Sequence, residues 1–158
     1  MSDIERARRL FESAYKRHMA GDIERALQLY DRSIELHATA EAHTFRAWAL
    51  SQESRYTAAI HGCKLAIELD PDYGNPYNDI GSYLIELGRY DEAEGWLRKA
   101  IDAPRYDVRH YAWYNLGRTL ERRGALREAI DAYRRSLDLE PEFLTAYVAV
   151  NRVIARMN

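Results

Sequence analysis

The side chains of this 158-residue chain with the greatest chemical potential are five histidines, one cysteine and a few paired acids. His37 and His43 flank a Thr-Ala-rich turn, and His61-Gly-Cys63 sets an imidazole two residues from the only thiol. Such residues could bind a metal ion or activate a thiolate. A metal site needs three or four convergent ligands, and neither pair has partners at helical spacing. Cys63 falls in a packing slot and His61 on an exposed helix face, the ordinary fate of both residue types. No Gly-rich phosphate loop, HExxH or G-x-S-x-G segment occurs. Asp91-Glu92 opens a helix, where acids favour the macrodipole. The chain is therefore expected to be no enzyme and to carry neither cofactor nor metal.

The bulk properties narrow the class further. Lys and Arg total 23 against 25 Asp and Glu, a net charge of -2, so no broad positive field recommends a nucleic-acid partner. One cysteine forms no internal disulfide, and no apolar stretch approaches membrane-spanning length. The opening MSDIERARRLFE carries charges where a secretory leader needs an apolar run. These features lead us to expect a cytoplasmic protein without a membrane partner. Tyrosine is the odd count: 12, beside 3 Phe and 3 Trp.

The elements that must position these residues repeat. Ala14, Ala47, Gly81 and Gly117 are separated by 33, 34 and 36 residues, and Ser33, Ala66, Ala100 and Ser136 follow the same intervals. So do the pairs Gly21/Ala26, Ser54/Ala59, Gly88/Ala93 and Gly124/Ala129. A period of this size marks stacked supersecondary units. Within a unit, Trp113, Leu116, Gly117 and Leu120 share one helix face; Gly124 punctuates, and Ala129, Ile130, Tyr133 and Leu137 form a second face. Each unit is thus two antiparallel helices, with the small residues where the axes cross, because a larger side chain there would hold them apart.

Boundary chemistry agrees. Ser2-Asp-Ile-Glu5 has capping-box spacing. Asn75-Pro76 predicts an N-cap before proline at the first helical position. Pro71 and Pro141 predict helix ends just before them. The third unit exits through Ala103-Pro-Arg-Tyr-Asp107, a segment with two extra residues, which predicts a longer loop with Asp107 as cap. After Pro141 one helix, Phe143 to Met157, sets Ala146, Tyr147, Val150, Val153 and Ile154 on one face, with Thr145, Arg152 and Arg156 opposite, as a polar-backed cap would. Closure of that kind argues against head-to-tail filaments.

These residues resemble the tetratricopeptide repeat family, whose signature is W-x2-L-G-x2-Y, then A-x3-F, then P. The last unit supplies Trp113, Leu116, Gly117, Leu120, Ala129, Tyr133 and Pro141, and the third supplies Tyr77, Ile80, Gly81, Leu84, Ala93 and Leu97. The second has His43, Arg46, Ala47, Leu50, Ala59, Cys63 and Pro71; the first, with Leu10, Ser13, Ala14, Ala26 and Tyr30, departs most. The resemblance implies an all-α, right-handed superhelical stack of antiparallel helix pairs forming one domain over 1–158. Its repeats would fall at about 7–39, 40–73, 74–109 and 110–143, with a capping helix at 143–157.

It also implies a concave groove lined by the first helices of successive repeats. Groove candidates are Phe11, Tyr15 and His18, then Phe45 and Trp48, then Asn78, Asp79 and Glu86, then Tyr111, Tyr114, Asn115, Arg118 and Arg122, with Arg152 on the last helix. An aromatic patch at one end and arginines at the other would suit a partner with an apolar segment and an acidic end. One subgroup of the family holds C-terminal carboxylates with a Lys, Asn and Arg clamp; the matching positions here, among them Phe11, Phe45, Asn75 and Asp79, lack its two cations. The expected function is capture of another protein's peptide or helical segment in the groove, by a monomer or weak homodimer. The alternative is self-association through the convex face, where Trp96 lies, or through the last helix. Tyr30, Tyr56, Tyr77, Tyr83, Tyr90, Tyr133 and Tyr147 fall in packing slots and Tyr73 and Tyr106 in turns, leaving Tyr15, Tyr111 and Tyr114 for a partner.

Overall fold

A computed structural model describes all 158 residues, which form nine α-helices joined by turns and loops: α1 Asp3–Met19, α2 Ile23–Leu36, α3 Ala40–Gln52, α4 Tyr56–Leu69, α5 Asn75–Glu86, α6 Tyr90–Asp102, α7 Arg109–Arg122, α8 Leu126–Leu139 and α9 Leu144–Met157. Consecutive helices pack as four antiparallel pairs with α9 stacked on the last. The result is an all-α helical solenoid. Alternate first helices also touch, α1 with α3, α3 with α5 and α5 with α7. That row of contacts puts the first helices on the inner side of the curve.

The small-residue markers are the crossing points. Ala14, Ala47, Ala66 and Ala100 are buried, and a Cβ on Gly81 or Gly117 would strike Leu97 or Tyr133 of the paired helix. The serine markers add a repeated bond: Ser33 Oγ donates to the Ala7 carbonyl at 2.7 Å and Ser136 Oγ to that of His110 at 2.8 Å. In a buried setting these satisfy both hydroxyl and carbonyl. Ser2 and Glu5 form the expected capping box on α1, and α4 and α8 end at Leu69 and Leu139, ahead of their prolines.

Each hairpin turn needs one residue with positive φ. Gly21, Gly88 and Gly124 supply it at 84°, 74° and 80°, whereas the second hairpin uses Ser54 at 58°. An L-residue there carries a steric cost that glycine avoids. Ser54→Gly should stabilise the protein by about 0.5–1 kcal/mol in urea denaturation. A neutral or destabilising result would mean that the serine side chain compensates for its backbone.

Two boundary expectations are corrected, and one face assignment with them. Gly74, not Asn75, is the N-cap of α5, and Pro76 takes the second helical position, where its missing N–H still lacks an intrahelical acceptor. Asp107 does not cap α7: the N-cap is Val108, without a side-chain bond. The long loop folds back instead, Arg105 N–H donating to the Asp72 carbonyl at 3.1 Å and Gly74 N–H to the Arg105 carbonyl at 2.9 Å. The Arg105 side chain stacks on Tyr73 at 4.9 Å and pairs with Asp70 and Glu41. This tie buries Tyr106 against Gly74, where any Cβ would collide with the ring. Finally, α9 buries Ala146, Ala149, Val150 and Val153, and its exposed side is mixed: Thr145, Asn151, Arg152 and Arg156 share it with Leu144, Tyr147 and Val148, which are 68%, 57% and 52% exposed. Tyr147 therefore leaves the list of packing tyrosines.

Candidate functional site

The inner face carries two concavities. The first, of about 310 Å³, lies between α3, α5 and the start of α7, and is walled by Phe45, Trp48, Tyr106 and Tyr111 with Asn78 and Asp79 beneath. Helical spacing puts Phe45 and Trp48 one turn apart on α3, and α1 supplies their backing. Phe11 meets Phe45 edge-on at 5.3 Å, Tyr15 meets it at 5.7 Å, and Phe45 meets Trp48 at 5.9 Å, all within the range of favourable aromatic pairs. Phe45 is thus both packing between repeats and cleft wall. Trp48 keeps 38% of its surface exposed and Tyr15 41%.

His18 does not face the groove. It is 2% exposed, its Nδ1 lies 3.1 Å from the Tyr30 hydroxyl, and its ring lies 4.5 Å from that of Trp48. Burial lowers its pKa, because the charged ring would lose its hydration there. Tyr106, assigned to a turn by its position in the sequence, joins the cleft because its loop folds back. Nothing local signals this, since the contact depends on the tie to Asp72 and Gly74.

Asp79 is the only charged side chain lining this cleft. Desolvation pushes its carboxyl up to about 7 from an ordinary 3.8, against a weak opposing hydrogen bond from Asn78. From there a chain of polar contacts crosses the inner face. Asn78 Nδ2 lies 3.4 Å from Asp79 Oδ1, Asn115 Nδ2 donates to Asn78 Oδ1 at 3.0 Å, and Arg118 donates to Asn115 Oδ1 and Glu86 Oε1, each at 3.2 Å.

That chain leads toward the second concavity, about 490 Å³, lined by Ile85, Tyr114, Glu121 and four arginines: Arg118, Arg122, Arg152 and Arg156. Glu121 accepts from Tyr133 Oη at 2.7 Å, Arg152 at 2.6 Å and Arg156 at 3.0 Å. Burial pushes its carboxyl up, but those donors and the arginine charges outweigh burial and hold it below the ordinary value. Glu121 escapes sequence reasoning because its partners lie on α9, about thirty residues away. Arg156, expected on an outward face, turns into this pocket with Arg152. Arg122 makes no ion pair with any acid of the chain. Four guanidinium groups against Glu121 and Glu86 leave the pocket positive.

Other clusters offer less. Cys63 is buried and free, with burial pushing its thiol up, and no group of three or more His, Cys, Asp or Glu residues is arranged to hold a metal ion. Trp96 on α6 is half-buried, with the Lys99 and Lys64 ammonium groups 4.7 and 5.8 Å from its ring centre. No helix is long and apolar enough to cross a membrane.

A solenoid of helical hairpins with a lined inner face defines the class of helical-repeat interaction proteins. The tetratricopeptide repeat pattern matches residues 19–74 and 78–142, and the chain belongs to that family. The small glutamine-rich tetratricopeptide repeat-containing protein 2 of Mycosarcoma maydis is 32% identical over 101 residues, 63% of this chain and 29% of that protein. The SGT1 homolog of Oryza sativa subsp. japonica is 39% identical over 89 residues, 56% of this chain and 24% of that protein. The chain therefore spans less than a third of either relative. Among solved structures, pilF of Pseudomonas aeruginosa superposes with a TM-score of 0.91 at 20% identity, covering 98% of this chain and 70% of that one. YrrB, described as a TPR protein with an unusual peptide-binding site, superposes with a TM-score of 0.70 at 21% identity, covering 94% and 76%. These likenesses support the fold, and the family membership makes the chain a protein–protein interaction module.

Proposed function

We propose that the inner groove captures an extended or helical segment of a partner protein, with an apolar stretch in the aromatic cleft and an acidic end at the arginine pocket. The carrying observation is Trp48: a large aromatic side chain, 38% exposed, on the wall of a cleft that folding does not fill. Exposed aromatic anchors backed by packed neighbours are the usual hot spots of interfaces. The positive pocket gives the groove a direction, since charge complementarity fixes which way a segment lies. This reading makes the protein a non-enzymatic adaptor, acting in the cytoplasm as a monomer or weak homodimer, and the free Cys63 thiol is compatible with a reducing compartment.

Trp48→Ala is the decisive variant, because Phe45 also packs between repeats and its removal would disturb the fold. Affinity capture from native lysate, wild type beside Trp48→Ala, should lose the partner while circular dichroism leaves helicity unchanged. The expected weakening is at least about 2 kcal/mol, or roughly thirtyfold. An identical set of captured proteins would overturn the groove reading. A second reading, self-association through α9, is favoured by the exposed Leu144, Tyr147 and Val148. Its signature is a concentration-dependent mass in light scattering that Trp48→Ala does not change. Trp96, between its two lysines, is less available for that role.

A further inference from the structure

Asp79 has no cation of its own. It forms no ion pair, and its only side-chain hydrogen bond is the long one from Asn78. The arginines of the adjacent loop and helix start are engaged elsewhere: Arg105 with Asp70 and Glu41, Arg109 with the carbonyls of Ile101 and Ala103. The groups that feel the carboxyl's charge, Cys63 on α4, Tyr83 on α5, and Tyr73 and Tyr106 in the loops, are themselves neutral at pH 7 and offer it no counter-charge. A carboxylate in such a place is costly unless a cation joins it. The cleft above it is open, and the faces that border it are aromatic.

We propose that the aromatic cleft is a receptor for an arginine side chain of the partner segment, its guanidinium donating to Asp79 between the rings of Trp48, Phe45 and Tyr111. The proposal rests on the groove reading and names the chemistry recognised in its middle. Arginine suits the site better than lysine. Its planar group sheds water more easily, stacks on rings and meets a carboxylate with two parallel donors. A charge-assisted bond formed in a partly desolvated cleft also discriminates strongly, because a neutral occupant leaves the carboxylate unpaired. The recognised segment would then carry one arginine within the apolar stretch that lies in the cleft, its guanidinium reaching Asp79 on the floor, and an acidic end at the arginine pocket.

The test uses small probes and the whole protein. At pH 8, N-acetyl-arginine methylamide is titrated against the nitrogen-15-labelled chain while the Trp48 indole N–H signal is followed. The citrulline analogue, neutral and nearly the same shape, should bind about tenfold more weakly or worse. Asp79→Asn, which keeps the side-chain shape, should erase that difference while leaving the rest of the amide spectrum in place. Equal binding of the two probes to wild type, undiminished arginine preference in Asp79→Asn, or tighter binding of the lysine analogue would each overturn the proposal. The groove reading fails separately: a partner lost by Trp48→Ala but retained by Asp79→Asn keeps the groove and removes the arginine. If no probe moves Trp48, the arginine receptor is wrong, and the capture experiment alone decides the groove.

Discussion

Asp79→Asn raises the melting temperature at pH 8 and leaves it nearly unchanged at pH 4. The unfolded chain releases the Asp79 proton near 3.8, whereas the folded chain holds it up to about 7. Between these values the unfolded state is the more ionised, so stability falls as pH rises and is flat above 7. Asparagine has no proton to lose, and the gap between variant and wild type opens across that window. Three units correspond to about 4 kcal/mol at 1.36 per unit, and water reaching the half-buried side chain reduces this to roughly 2 kcal/mol. For a chain of this size the shift is about 4–8 °C. The neighbouring Cys63, Tyr73, Tyr83 and Tyr106 all have their pKa values raised by burial, so none titrates inside the window. Melts of the two proteins that stay parallel from pH 4 to 8 would show Asp79 ionising as an exposed acid does.

The second large effect is steric, and it has an internal control. A Cβ on Gly117 would sit 2.5 Å from both Cδ1 and Cε1 of Tyr133. That ring is fully buried, and its hydroxyl donates to Glu121, which Arg152 and Arg156 hold from α9. Retreat of the ring would therefore strain three helices. Overpacking costs about 1–3 kcal/mol, against about 1 kcal/mol that alanine gains over glycine in a helix, so Gly117→Ala should destabilise. Gly95 lies in α6 with nothing within 4 Å of its Cβ position. There the same substitution should stabilise by about 1 kcal/mol. Denaturant midpoints measure both, and shifts of the same sign would refute the close-contact account of the repeat markers.

The two cases show what a sequence of this kind makes legible. Ala47, Gly81 and Gly117 recur because every hairpin has the same crossing, so the spacing alone reveals the helices, their pairing and their buried faces. Phe45 and Trp48 follow from the same phase. What escapes is whatever depends on a departure from the period. The two extra residues before α7 announce a longer loop, but not that it doubles back through Arg105 and delivers Tyr106 to the cleft. His18 and Tyr147 lie near face edges, where a rotation of one position exchanges buried for exposed. The pairing of Glu121 with Arg152 and Arg156 requires α9, packed on α8, to bring its arginines beside α7, which only the folded chain displays.

The polar contacts from Asp79 through Asn78, Asn115 and Arg118 to Glu86 carry a consequence for binding entropy. Side chains that hold one another in the free protein have already lost their rotamer freedom during folding. In the proposed binding an incoming segment would meet them in place, and their immobilisation would add little to the cost of association. Arg122 is exposed and stands outside that chain of contacts, so in the proposed binding it would be ordered only by the partner. For the proposed binding the inner face would thus be part template and part grip: a fixed row across repeats three and four, and one long exposed side chain beside it.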